Sequence, residues 1–449
     1  MAPAGVPRLS EVGIDPAVLG FAAVVTGLAG VLFGLAPALH LAGDHLALAL
    51  KSSGRGAVGS VGRHTRRALI VAEVAVALVL LVGGGLLLRT FTGLQRVDLG
   101  FDPANVLVGA IVPPAAKYRN GEERTVFYDQ ILERAAALPG VRTAALASVV
   151  PLQGGDSDMS LFVEGAPPGS PDNTPATWYR LVSAGYLDAF GIPLRRGRNF
   201  VPHEAEPVVM INETMARRHW PGQEALGRRI KFSDEGQWFR IVGIIGDVKQ
   251  QGARIEARAQ TLIPYWQLPE PGVAIVLKTH GEPASLTAPL KQAIRAVDPD
   301  MPVSGIDTMT SMVAESIEEP RFLALVVGVF AGLALALAAI GIYGVLSYAV
   351  SQRTSEIGVR LALGAGRGDV FSLIVRDGLR LTLVGVGIGI VTSLFVAPAL
   401  SRLLFGVQPI DPLTFAIVVA GILGVAACAS IIPARRGMRV DPLAALRTE

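Results

Sequence analysis

The sequence predicts an α-helical membrane protein with five transmembrane helices and a large α+β domain outside the membrane. Three observations predict it. The 449 residues are 51% hydrophobic and only 17% charged, with a mean hydropathy of +0.47, whereas soluble domains carry about 25% charged residues. Five stretches are long enough to cross a bilayer core as helix, which takes about 20 predominantly apolar residues. Between the second and third of them charges return, and all four tryptophans (Trp178, Trp220, Trp238, Trp266) fall there.

The composition also excludes much. So few charges and so much apolar surface rule out a disordered chain. A single cysteine, Cys428, rules out a disulfide framework or a cysteine-built zinc site within one chain. The net charge of +3 is too mild to argue for nucleic acid.

The apolar stretches are 18–42, 68–88, 322–350, 381–399 and 413–432. The third carries no charge, and the second carries only Glu73, an intramembrane acid little more than a turn inside its helix. Gly83, Gly84, Gly85, Gly385, Gly387 and Gly389 recur within the set, as close-packed membrane helices tolerate. The first stretch reads as a true span rather than a cleaved signal, because its apolar run is too long and lacks a basic leader.

Orientation follows from Lys and Arg near the helix ends. Lys51, Arg55, Arg63, Arg66 and Arg67 precede the second stretch; Arg353, Arg360, Arg367, Arg376 and Arg380 follow the third; Arg435, Arg436, Arg439 and Arg447 follow the fifth. With these three regions cytoplasmic, the N-terminus, residues 90–320 and the loop near Arg402 lie outside. The expected organisation is an external N-terminus and first helix over 1–51, a basic cytoplasmic linker over 52–67, a helix over 68–89, an outer domain over 90–320 and a three-helix membrane domain over 321–449.

Within the outer domain two segments look alike. Residues 106–112 read as strand, 121–138 as helix with Phe127, Ile131, Ala135 and Leu138 on one face, and 141–149 as strand. Residues 273–278, 285–297 and 303–306 repeat the order, with Leu286, Leu290, Ile294 and Val297 at the same spacing. Two β-α-β units therefore bracket a middle region of short strands and Gly/Pro turns, in which 240–247 is the clearest buried strand.

Catalytic signatures are lacking. The sequence has no P-loop, no His-Glu-x-x-His and no Gly-x-Ser-x-Gly elbow, and its six histidines are scattered. Asp156/Asp158 and Asp298/Asp300 read as turn-forming aspartates ahead of a cation contact. Asn212-Glu213-Thr214 matches a glycosylation triplet too common to weigh. The chain reads as a non-enzyme.

The densest pattern follows the third apolar stretch, over 351–366. As a helix it pairs Glu356 with Arg360 at i,i+4 and puts Ile357 and Leu361 on the other flank, with Gly364 as terminator. A short amphipathic helix between spans either lies on the membrane surface or docks into a cytoplasmic partner, and on periodicity alone the surface-lying reading stands at least level with docking.

Here the residues carry a resemblance. Arg353, Glu356, Ile357, Gly358, Arg360, Ala362, Leu363, Gly364 and Ala365 form a signature similar to the coupling helix of MacB-like and FtsX-like ABC transporter permeases. Residues 68–77 look like that family's first helix, and 186–200, 208–230 and 240–249 look like its periplasmic domain. Pro433-Ala434-Arg435-Arg436 with 441–447 looks like its C-terminus. Pro37-Ala38 followed by Ala49-Leu50-Lys51 parallels Pro433-Ala434 followed by Ala445-Leu446-Arg447 at identical separation. The first helix thus resembles the last helix of another, mostly missing unit, as in duplicated orphan permeases.

The resemblance implies a multi-pass inner-membrane permease subunit with a periplasmic core domain of a porter-like β-α-β lobe and an inserted second lobe, its C-terminus cytoplasmic. It implies ATP bound by a separate cytoplasmic ATPase, no cofactor in this chain, and docking through Arg353, Glu356, Ile357, Gly358, Arg360, Leu363, Gly364 and Ala365. It further implies a second permease unit (a homodimer or the missing half), membrane lipid and a periplasmic protein as partners. Function would be mechanotransmission to an exported or periplasmic drug, peptide, lipid or lipoprotein. A membrane-anchored receptor or scaffold that works without ATP is the competing expectation.

Overall fold

The structure is a computed structural model, and it describes residues 58–154, 157–165, 175–352, 366–401 and 403–438, with single positions between 16 and 27 and at 357, 359, 360 and 363. The chain divides into two compact units, one of Met1–Gly93 with Glu318–Glu449 and one of Leu94–Ile317.

Among the described residues the first unit holds four long helices: α1 (Val58–Leu94), α7 (Glu318–Gln352), α8 (Arg367–Val396) and α9 (Pro412–Gly437). Each contains a segment long and apolar enough to cross a membrane: Arg67–Leu94, Glu318–Ser351, Gly368–Leu400 and Pro412–Arg436. The apolar stretch 18–42 lies largely outside the described residues. The helices outrun the apolar stretches. α1 begins at Val58, so part of the basic segment before residue 68 is already helical. α8 begins at Arg367 and carries Arg376, Asp377 and Arg380, because a helix that leaves the bilayer keeps its hydrogen-bond ladder while its side chains turn polar.

One face of α1 (Ile70, Val74, Leu78, Val82, Leu86) is buried with residues of the other three helices, including Ile342, Val386 and Ile422. Two glycines of α8 set the close approach: a Cβ on Gly385 would lie 2.8 Å from Val74 Cβ, and one on Gly389 2.9 Å from Leu78 Cβ. Their four-residue spacing puts both on one face, where missing side chains let helix backbones meet. At the start of α9, Asp411 accepts a hydrogen bond from the Thr414 amide at 2.8 Å, and Pro412 fills the first turn, where its missing amide costs nothing.

The second unit is built on one mixed sheet. Its strands are β1 (Val106–Ile111), β2 (Val141–Ala147), β3 (Asp158–Ser160), β4 (Phe162–Val163), β5 (Ala176–Val182), β6 (Leu194–Gly197), β7 (Val208–Asn212), β8 (Arg229–Lys231), β9 (Phe239–Ile245), β10 (Gln260–Pro264), β11 (Val273–Thr279) and β12 (Val303–Thr308). The order is β12-β1-β11-β2-β5-β10-β7-β9-β8-β4, with β3 on β5 and β6 on β9. The helices are α2 (Gly121–Ala136), α3 (Tyr186–Phe190), α4 (Glu213–His219), α5 (Thr287–Arg295) and α6 (Met309–Ser316).

The first four strands in that order interleave the two look-alike segments. β1-α2-β2 leaves a gap that β11 fills, and β11-α5-β12 leaves a gap that β1 fills, with every neighbouring pair antiparallel. This is the split β-α-β arrangement. Strands buried on both faces read as continuous apolar runs, and β11 is buried along its whole length. Leu107 and Ile111 of β1 and Ile275 and Leu277 of β11 enter one core, with Phe127 and Ile131 of α2 and Leu290 and Ile294 of α5. Val106, Val108 and Val276 enter the core on the opposite face, with Tyr186 and Phe190 of α3 and Met309 of α6.

The middle residues continue the same sheet. Ala147 pairs with Val182, and Ser148 and Ser183 close the join, their hydroxyls accepting from the Leu181 and Leu146 amides at 3.1 and 2.9 Å. β9 carries a bulge at Gly243, where the register against β7 shifts. The slip explains why Ile241 and Ile244, three apart, share one core while Val242 and Ile245 share the other. Of the four tryptophans, Trp178 and Trp220 are buried, whereas Trp238 and Trp266 are half-buried.

Candidate functional site

Of the segment that joins α7 to α8, the structure describes Ile357, Val359, Arg360, Leu363 and Gly366. Ile357 is buried in one core with Leu346 and Val350 of α7 and Val370 and Ile374 of α8. The helical positions Val359 and Arg360 are exposed, and Leu363, in the following turn, is 84% exposed. Ile357, Arg360 and Asp377 line a small cleft together with Leu346, Val350 and Ile374. At the far side of the segment, Gly366 precedes α8, and its amide donates to Asp369 Oδ2 at 3.0 Å. Ile357 thus packs against the ends of both neighbouring helices while Leu363 is left exposed. Arg353, Glu356, Gly358, Gly364 and Ala365, and with them the Glu356–Arg360 pair and the Gly364 terminator, lie outside the described residues.

Glu73 sits on α1 inside the span Arg67–Leu94. Its Oε2 is shielded from solvent and has no hydrogen-bond partner among the described residues. The side chain lies against Gly341 of α7, where a Cβ would come within 2.6 Å of Oε2. Nothing in the sequence marks Gly341 as its neighbour, because the two are far apart along the chain.

The other sequence candidates resolve into architecture. Asn212 is buried and caps α4: its Oδ1 accepts from the Met215 amide at 3.0 Å while its Nδ2 donates to the Arg258 carbonyl at 2.8 Å. Asp298 is buried beneath two partners, Lys117 Nζ at 2.8 Å and the Tyr118 hydroxyl at 2.9 Å. Lys117 beside it holds its carboxyl below the usual carboxylate range, whereas burial, with Asp298 adding to it, pushes the Tyr118 phenol up. Asp298 is therefore a tie between the two β-α-β segments. Asp156 lies outside the described residues. Among the described residues no cluster of three or more His, Cys, Asp or Glu side chains is placed to hold a metal ion.

With this geometry, the matches to known families have a place to fall. Residues 68–297 match the MacB-like periplasmic core domain, and residues 328–442 match the FtsX-like permease C-terminal domain. The chain belongs to this family of ABC transporter permeases. The permease is 24% identical over 292 residues to an uncharacterized ABC transporter permease, YvrN, of Bacillus subtilis, covering 60% of this chain and 69% of that protein. It is 23% identical over 290 residues to the macrolide export ATP-binding/permease protein MacB of Mannheimia succiniciproducens, covering 60% of this chain and 43% of the relative. To the pyoverdine export ATP-binding/permease protein PvdT of Pseudomonas putida it is 24% identical over 244 residues, covering 51% and 36%. The permease thus spans less than half the length of the MacB and PvdT relatives it matches. Among solved structures, the periplasmic region of MacB from Actinobacillus actinomycetemcomitans aligns over 49% of this chain and 94% of its own at 13% identity, with a TM-score of 0.33, too low to carry weight.

Proposed function

We propose that this permease is the membrane subunit of a mechanotransmitting ABC transporter. A separate cytoplasmic ATPase docks on the segment 353–366 and moves the helices on either side of it. The residues assigned to docking are Arg353, Glu356, Ile357, Gly358, Arg360, Leu363, Gly364 and Ala365. The observation that carries this reading is Ile357 seated on the ends of α7 and α8 with Leu363 outward. A push on the outer flank then passes through Ile357 into both helices, because packed side chains transmit displacement with little give.

The unit of 94–317 is the periplasmic part in this reading, with β12-β1-β11-β2 as the porter-like lobe and the middle strands as the inserted one. The spans lie in the inner membrane with the C-terminus cytoplasmic, which keeps the arginine-rich segments inside. A second permease unit completes the transporter. The substrate is an exported or periplasmic drug, peptide, lipid or lipoprotein, in line with the export named for the MacB and PvdT relatives.

The experiment is co-purification with the cognate ATPase together with ATP turnover in membranes. Glu356→Lys, Leu363→Glu and Gly364→Val are each expected to reduce both while the protein still inserts. Wild-type association and turnover in all three would sink the docking assignment in favour of an ATP-independent receptor or scaffold. Topology is read separately: Ser157→Cys in a Cys428→Ser background should react with an impermeant reagent in intact cells.

A further inference from the structure

The first unit seats one oxygen of a partly buried carboxyl group against a glycine of the neighbouring helix. Glu73 belongs to a membrane span, and its Oε2 is shielded from solvent without a hydrogen-bond partner among the described residues. The carboxyl fills the notch that Gly341 leaves on α7: a Cβ on that glycine would stand 2.6 Å from Oε2 and 3.7 Å from Cδ. Ile70, 3.6 Å from the same point, walls the notch on the α1 side. One turn on, Val74 is wedged against Gly385 of α8, so the seam beside Glu73 is closed by apolar contact.

Among the described residues no charged group bonds Oε2. Among the described side chains of the packed helices, titratable groups stand at Arg67 on α1, Tyr343 and Tyr348 on α7, and Arg376, Asp377 and Arg380 on α8, while α9 carries no charged residue before Arg435. None of them bonds Oε2. Removing an ion from water is costly even after relaxation, and a shielded, unpaired acid is driven toward its neutral form. Intramembrane acids of this kind mark functional positions by default.

We propose that Glu73 is an intramembrane proton-binding site gated by the packing of α1 on α7. With the notch closed, the carboxyl is the neutral acid. When the two helices part, water enters the seam, the O–H bond breaks, the proton passes to that water and the carboxylate remains hydrated. Proton occupancy then reports and biases the spacing of the two helices, whichever surface drives their motion. This site does not depend on the docking role proposed for 353–366.

The test is infrared spectroscopy of the full chain in lipid nanodiscs, comparing wild type with Glu73→Gln. At neutral pH, the wild type should show a protonated-carboxyl C=O band that the glutamine variant lacks. The band should persist between about pH 5 and 8, where an ordinary glutamate is already ionised. Gly341→Ala fills the notch and displaces the carboxyl toward water, so the neutral-pH band should lose most of its intensity. Glu73→Gln resembles the neutral acid in shape, so it should keep the wild-type thermal midpoint at neutral pH. Identical spectra for wild type and Glu73→Gln, or a band that Gly341→Ala leaves untouched, would overturn the proposal.

Discussion

Arg89 and Asp411 form an ion pair that joins the last turns of α1 to the first residue before α9. Asp411 does two jobs at once, since it also caps α9 through the Thr414 amide at 2.8 Å. A second tie lies beside it, where Thr90 Oγ1 accepts from the Phe405 amide at 3.3 Å. The loop between α8 and α9 is thereby fixed to the end of α1.

Asp411→Ala removes cap and ion pair together, whereas Asp411→Asn keeps an acceptor for the cap. The alanine variant should lose about 1 kcal/mol for the cap alone, and the asparagine variant clearly less. The hydrogen bonds from Thr414, with Arg89 beside them, hold the Asp411 carboxyl below the usual range. A depressed carboxylate contributes stability that is present above the unfolded value of about 3.9 and lost as pH falls through the folded one. Thermal unfolding in detergent should show wild type and Asp411→Asn converging below about pH 4. Parallel curves down to low pH would contradict the assignment.

The buried Asp298 gives the outer unit its own acid sensitivity. Lys117→Met leaves the carboxylate with Tyr118 and the Asp300 amide only, and a loss of about 1–3 kcal/mol is expected for the abandoned charge. The sign matches that of Asp411, because Lys117 depresses the Asp298 pKa. The stabilising difference between wild type and Lys117→Met should be full at neutral pH and vanish as pH falls through the folded-state value. Denaturant titration of the full chain, followed through the tryptophans of the outer unit, measures it.

Gly385 and Gly387 are two residues apart and should respond very differently to the same substitution. A Cβ on Gly385 meets Val74 at 2.8 Å and the Val71 carbonyl at 2.9 Å, whereas one on Gly387 meets nothing within 4 Å. Gly385→Val should destabilise the unit by about 1–3 kcal/mol through overpacking, and Gly387→Val should fall well short of that. Equal thermal midpoints for the two variants would place the α1–α8 seam elsewhere.

What was legible in the sequence was what repeats locally. The period of Phe127, Ile131 and Ala135 placed α2 and its buried face, and Leu290 with Ile294 did so for α5, although that helix opens with a 3-10 turn at Pro283–Leu286. Ile357 was legible for the same reason. The long-range partners were not. Glu73 against Gly341, Arg89 with Asp411 and Lys117 with Asp298 join residues remote in sequence, and a pairwise contact leaves no period in either partner's neighbourhood. Hydropathy also understated α8, since its polar first turns continue a helix that the apolar count begins only later.

The neighbouring positions of β1 and β12 have a mechanical consequence. β1 is the first strand after α1 and β12 the last before α6 and α7, and the two run antiparallel with Leu107 opposite Thr308. The outgoing and returning tethers therefore grip the sheet at the same end of adjacent strands. A tug shared equally by both tethers enters the sheet without shearing that ladder. A difference between the two pulls would instead load the ladder in shear, with its rungs from Leu107 and Thr308 onward resisting together.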